Sequence, residues 1–277
     1  MLEKIKYINH QDEELIFGEN GLFLSESDLL DFTWNIKSKN DKISGFLKGV
    51  VSRKVRIVIK GNTITEANSL RNRLYEVFEK DVLAKEYGRF IIGDYYFKCY
   101  ITESAKSKYN RNSNFVQITL KVISDLPYWI KESHYSYSAR GQEIVDSEDA
   151  YMDYPYDHSY DYASAILAYT ADNQGFSEAD FKMTIMGPCS APEITIAGHP
   201  YKVDTELSSG EMLVIDSAVR KVYKIMVNGE QVNQFHLRDR KNSVFKKIPA
   251  GNNAVTWDGS FAFELTLYEG RSEPRWI

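Results

Sequence analysis

Short runs in which apolar and polar positions alternate open the chain, at residues 4–8, 15–17, 22–24 and 32–36. Alternation of period two puts every second side chain on one face of a strand. Asn20-Gly21, between two of these runs, is a hairpin-turn signal. Residues 54–60 read as a further strand, with Val55, Ile57 and Ile59 sharing a face. Between these runs, residues 37–49 (Lys-Ser-Lys-Asn-Asp-Lys-Ile-Ser-Gly-Phe-Leu-Lys-Gly) read as a polar loop that nevertheless carries Ile43, Phe46 and Leu47. Apolar side chains on a solvated excursion either fold back on their own domain or await a neighbour.

The period then changes to that of a helix. Thr63-Ile-Thr-Glu66 matches a capping box, in which hydroxyl and carboxylate satisfy first-turn N–H groups. Behind it Ala67, Leu70, Leu74, Val77 and Phe78 recur at helical spacing, which predicts a helix over about 63–81 laid on a sheet. Residues 89–92 and 95–101 read as a hairpin closed by Gly93-Asp94. Val116, Ile118, Leu120 and Val122 share one face of a strand over 115–123, and Pro127 breaks the pattern. With a boundary near Glu132, residues 1–132 read as strands, one helix, then strands.

Residues 133–277 read as a second domain. After a possible strand at 134–144, strands are expected at 181–186, 193–196, 201–203, 211–215, 221–227, 231–233, 244–247, 254–257 and 261–267. Turn signals such as Gly198-His199-Pro200, Asn228-Gly229 and Asp258-Gly259 separate them, the pattern of an antiparallel sandwich. Residues 151–162 fit neither period. This stretch holds five of the chain's 19 tyrosines interleaved with aspartates, and it reads as an ordered loop. Tyrosine buries an apolar ring while its hydroxyl needs a partner, which suits a junction or an interface.

Composition narrows the class. The 277 residues suffice for two domains with cores, and 43% hydrophobic with 26% charged residues is a globular balance. A net charge of −5 argues against a sequence-wide grip on nucleic acid. No run approaches the ~20 apolar residues of a spanning helix, so no membrane insertion is expected. Cys99 and Cys189 lie far apart in strand-like runs and read as free buried thiols.

Enzymatic chemistry finds little support. His10, His134, His158, His199 and His236 are scattered without metal-ligand spacing, and neither a nucleophile elbow nor a phosphate-cradling loop is present. Asp157 and Asp161 could flank a glycosidic bond, but acidic loop residues more often cap backbone or face water. The basic runs at 106–111 and 238–241 read as solvated loop tips. No catalytic, cofactor or metal site is assigned. A carbohydrate-binding module contacting a cell wall is the alternative reading, with Tyr154, Tyr156, Tyr160 and Tyr162 offering rings to a sugar face.

The C-terminal third carries a resemblance. Residues 245–257 (Phe-Lys-Lys-Ile-Pro-Ala-Gly-Asn-Asn-Ala-Val-Thr-Trp), 261–267 and 271–276 (Arg-Ser-Glu-Pro-Arg-Trp) resemble the closing block of the distal tail (Dit) proteins of long non-contractile-tailed phages. Residues 211–216, the tyrosine-rich stretch and residues 74–97 resemble the same family. The resemblance implies a mainly β, two-domain structural protein of the virion. Its tail-tube-like β-sandwich with the flanking helix would build a hexameric ring, and a galectin-like antiparallel β-sandwich would follow. The ring would join the tail tube to the baseplate or adhesion apparatus and let DNA pass without specific binding. Tail-tube, hub and receptor-binding proteins would be its partners. It would reside at the distal end of the tail, after assembly in the host cytoplasm. Ile43, Phe46 and Leu47 are then expected to contact a neighbouring subunit.

Overall fold

A computed structural model describes residues 5–107, 112–139 and 169–275. The tyrosine-rich stretch at 151–162 and Trp276 lie outside the described residues. The chain is mainly β and divides into two compact units, Met1–Lys131 with Gly270–Ile277, and Glu132–Glu269. Residues 270–277 group with the first unit and not with the residues that precede them. Contacts explain this, because a Cβ on Gly270 would meet Tyr128 at 3.6 Å and Ser272 pairs with Lys48.

The first unit contains β1 (Lys6–Ile8), β2 (Glu14–Ile16), β3 (Leu22–Ser27), β4 (Asn35–Lys39), β5 (Lys42–Leu47), β6 (Val51–Lys60), α1 (Ile64–Ala84), β7 (Gly88–Ile92), β8 (Tyr95–Ser107) and β9 (Phe115–Ser124). β10 (Trp129–Tyr137) begins in it. β3, β6, β9 and β8 form one antiparallel run of neighbours, and β2, β1, β7 and β8 another. The long strand β8 serves both, pairing β7 through Tyr95–Cys99 and β9 from Tyr100 on. Alternation decides what is buried: Val55, Ile57 and Ile59 of β6 meet Val116, Ile118, Leu120 and Val122 of β9 and Phe97 and Cys99 of β8 in one core. Each such aliphatic side chain contributes about 1.5–3 kcal/mol on burial.

Helix α1 closes this core with Leu74, Val77 and Phe78. Thr63 caps it, accepting from Glu66 N at 3.1 Å, while the Glu66 carboxylate accepts from Asn62 N at 2.7 Å, one residue before the position a capping box requires. The helix outlasts its expected end by three residues, stopping where Lys85 adopts a left-handed φ of 59° and donates back to Asp81 and Val82. Asn20 and Gly21, with φ of 50° and 79°, form the expected tight turn before β3.

The second unit contains the rest of β10 with β11 (Thr170–Asn173), β12 (Asp180–Met186), β13 (Cys189–Ser190), β14 (Glu193–Ile196), β15 (His199–Lys202), β16 (Glu206–Leu207), β17 (Met212–Asp216), β18 (Lys221–Ile225), β19 (Gln231–Asn233), β20 (Gly251–Thr256) and β21 (Phe263–Arg271). β19, β18, β17, β12 and β21 neighbour one another in that order, and β11, β20, β14 and β15 form a second sheet. Tyr137 stacks on Phe263 at 4.5 Å and meets Trp257 edge-on at 5.8 Å, which anchors the core that both sheets share. The expected strand at 244–247 is absent. Val244 and Ile248 are buried from an irregular segment, and only an isolated bridge to Ala179 forms there.

Candidate functional site

The loop expected at 37–49 is instead a β-hairpin. β4 and β5 form a two-stranded sheet of their own, turned by Asn40 and Asp41 at φ of 52° and 57°. Asn and Asp tolerate this left-handed region better than other non-glycine residues, so the pair makes the tight turn without glycine. Ile43, Phe46 and Leu47 are 62%, 57% and 46% exposed, so none of them folds back on its own domain.

The register sorts these residues. Ile36 lies opposite Phe46 and Ser38 opposite Ile43, and a bulge intervenes at Ser44, whose hydroxyl donates to Lys37 O at 3.1 Å. Three residues apart, Ile43 and Phe46 would face opposite ways in a regular strand. Cross-strand partners share a face, so the bulge brings Ile43 round to join Phe46 and Ile36. Leu47, opposite Asn35, belongs to the other face. Ile43 and Phe46, expected from the sequence to meet a neighbour, therefore share one face of the hairpin with Ile36, which is 62% exposed.

At the base of the hairpin Lys48 stands among three aromatic rings, its Nζ 4.3 Å from the Tyr128 centroid, 4.9 Å from Trp34 and 5.8 Å from Phe32. It donates to Ser272 Oγ at 2.7 Å and to Pro127 O at 3.2 Å. Burial, with the Arg53 guanidinium nearby, pushes its ammonium from 10.5 down to about 8.

A second polar constellation lies in the first unit's interior. Tyr7 Oη donates to Asp81 Oδ2 at 2.6 Å, and Asp81 Oδ1 accepts from His10 N at 2.8 Å and faces His10 Nδ1 at 2.6 Å. Asn9, itself buried, hydrogen-bonds Val77 O and Glu13. Tyr, Asp and His in contact suggest proton transfer, but Tyr7 and Asp81 are 0% exposed and a Cβ on Gly88 would overlap the Tyr7 hydroxyl at 1.9 Å. With no room for a substrate, the group ties β1 to α1.

The other sequence candidates stay apart. His134 meets Thr266 Oγ1 at 3.0 Å and His199 meets Ser243 O at 2.9 Å. Among the described residues no three His, Cys, Asp or Glu side chains converge to hold a metal ion, and no helix is long and apolar enough to cross a membrane. Cys99 is buried and Cys189 half-buried, both as free thiols. In the basic run at 238–241, Arg238 lies 3.7 Å over the Phe235 ring and Asp239 accepts from Lys241 N at 2.8 Å. Tyr154, Tyr156, Tyr160 and Tyr162, with Asp157, His158 and Asp161, fall outside the described residues.

No family model matches the chain, and no curated protein does. Solved structures do match. The Dit protein of phage SPP1, described as a paradigm of the hub adsorption apparatus in Gram-positive-infecting phages, superposes with a TM-score of 0.60 at 9% identity, over 96% of this chain and 99% of its own. The fold is that of a phage distal tail protein. A chain of the phage P2 baseplate in its activated conformation with Ca gives a TM-score of 0.64 at 12% identity, over 99% of this chain and 100% of its own. The same baseplate with Sr gives 0.62 at 13%, with the same coverage. At these identities the likeness lies in the distal-tail-protein fold, and it extends over both units.

Proposed function

We propose that this protein is a structural component of a phage tail tip. Six copies form a ring that joins the tail tube to the baseplate or adhesion apparatus and leaves a passage for DNA. The observation that carries this reading is the near-complete mutual coverage with the SPP1 Dit protein and the P2 baseplate chains. A shared single domain would leave one unit unmatched, whereas here both units take part. On this reading the first unit, residues 1–131 with 270–277, is the ring builder, and the second is a galectin-like sandwich that carries tip proteins. The net charge of −5 suits a channel that must release phosphates rather than hold them. The partners are further copies of this chain, the tail-tube protein, and hub and receptor-binding proteins; the virion tail is the location, reached after assembly in the host cytoplasm.

The ring contact is assigned to the β4–β5 hairpin, through Ile43 and Phe46 with Ile36 on one face and Leu47 on the other. A ring beyond a dimer needs head-to-tail contacts between unlike surfaces, and a projecting apolar hairpin can supply one of them. Light scattering of the purified chain with negative-stain images tests the reading. Six-fold rings, or labelled subunits at the distal end of virion tails, are expected. A chain that is monomeric at all concentrations and absent from tails would refute it. The Ile43→Asp, Phe46→Asp double variant should stay folded and lose the ring.

A further inference from the structure

The hairpin shares no ladder with any other strand among the described residues, so what fixes its direction must lie at its base. Lys48 is the first residue after β5, and Phe32 and Trp34 lie on the segment entering β4. The ammonium therefore contacts the entry to the hairpin through two rings, its exit through its own backbone, and residues 127, 128 and 272 through a carbonyl, a ring and a hydroxyl. Both oxygen partners are neutral. Lysine is ordinarily among the most solvated side chains, and its long stem carries considerable rotamer freedom that this arrangement gives up.

We propose that Lys48 is a latch that locks the pose of the β4–β5 hairpin to the C-terminal segment through Ser272, so that the hairpin points in a fixed direction only while that segment is docked. The geometry favours a latch over incidental packing because one ammonium engages three separated stretches of chain, 32–34, 127–128 and 272. Phe32 and Trp34 remain 50% and 41% exposed, so Lys48 can leave the rings without disturbing the buried core. The latch's effect on assembly rests on the hairpin being the ring contact; the latch itself does not.

The test uses the full chain with Lys48→Met, Lys48→Arg and Ser272→Ala, followed by hydrogen exchange of residues 35–47 and by light scattering. Lys48→Met should speed hairpin exchange by at least about tenfold while peptides of β6 and β9 keep their rates. Ser272→Ala, a milder change that leaves the rings in place, should act in the same direction, and Lys48→Arg should restore much of the protection by stacking on the same rings. Hairpin exchange unchanged in both Lys48→Met and Ser272→Ala would overturn the latch. Faster hairpin exchange with rings intact would support the latch and count against the hairpin as the ring contact.

Discussion

The hydroxyl of Tyr7 donates to Asp81 Oδ2 at 2.6 Å, joining the first strand to the last turn of α1 across 74 residues of chain. Both groups are buried; His10 serves Asp81 Oδ1, and the Tyr7 hydroxyl serves Oδ2. Burial, chiefly, and the neighbouring carboxylate together drive the Tyr7 pKa far above its usual value, which keeps the phenol a donor. Tyr7→Phe should lower the unfolding free energy by about 1–3 kcal/mol, because Asp81 loses a donor where water cannot replace it. Urea unfolding measures this; an unchanged midpoint would mean that water reaches the site.

Gly88 lies against the same pair, and a Cβ there would meet Tyr7 Oη at 1.9 Å and Asp81 Oδ2 at 2.3 Å. Gly88→Ala should therefore cost about 1–3 kcal/mol through overpacking, despite the usual gain from removing a flexible glycine. The denaturation midpoint should fall at constant m-value.

The hairpin should behave in the opposite way. Ile43 and Phe46 are mostly exposed, so replacing both by aspartate should shift the chain's own stability by no more than about 0.5 kcal/mol per site. Thermal melting of dilute protein separates this from any loss of assembly. A large drop in melting temperature would show that the two residues serve the fold of a single chain.

Lys48 gives a pH dependence whose sign is fixed. Its ammonium falls from 10.5 to about 8, through burial first and then Arg53, while the Ser272 hydroxyl and Pro127 carbonyl carry no charge. Between the two values the unfolded chain holds a proton that the folded chain has released, so stability rises with pH across the window. This contribution is complete above 10.5 and is lost as pH falls through about 8. The melting-temperature difference between wild type and Lys48→Met should therefore grow in favour of wild type from about pH 7 to pH 10. A constant difference would contradict the shifted lysine.

The thiols should resist labelling. Burial raises the Cys99 thiol well above its normal range, and burial with Asp258 pushes Cys189 up to about 11. Reaction requires the thiolate and access to it. A disulfide-exchange reagent at mildly alkaline pH should thus modify Cys189 slowly and Cys99 only after unfolding.

Much of this architecture was legible in the sequence. The alternation around Val55–Ile59 and Val116–Val122 and the helical stripe from Ala67 to Phe78 mark the core that the first unit buries. Gly93-Asp94 joins β7 to β8 where a turn was expected, with Ile92 opposite Tyr95. What escaped did so for local physical reasons. The β4–β5 turn uses two non-glycine residues at positive φ, and the Ser44 bulge breaks the period of two that would have revealed β5. Asn228-Gly229 closes a longer loop than its dipeptide suggests, because Met226 N bonds Glu230 O at 2.9 Å and leaves three residues between them. Residues 244–247 read as a strand, yet Val244 is buried from a turn and only Ile248, just beyond, forms an isolated bridge. Asp81 is 74 residues from Tyr7 and 71 from His10, too far for spacing to join them, and the rings around Lys48 come from positions 32, 34 and 128, which no local pattern links.

Because β4 and β5 hydrogen-bond with each other and with no other described strand, the hairpin's side chains answer to a different constraint from those beneath them. A change at Ile36, Ile43 or Phe46 falls on an exposed face and leaves the packing of Val55, Ile57 and Leu120 alone. The segment is in effect an interchangeable cassette. A foreign hairpin of equal length grafted between Trp34 and Lys48 would be carried by the same scaffold, with the core beneath it unchanged.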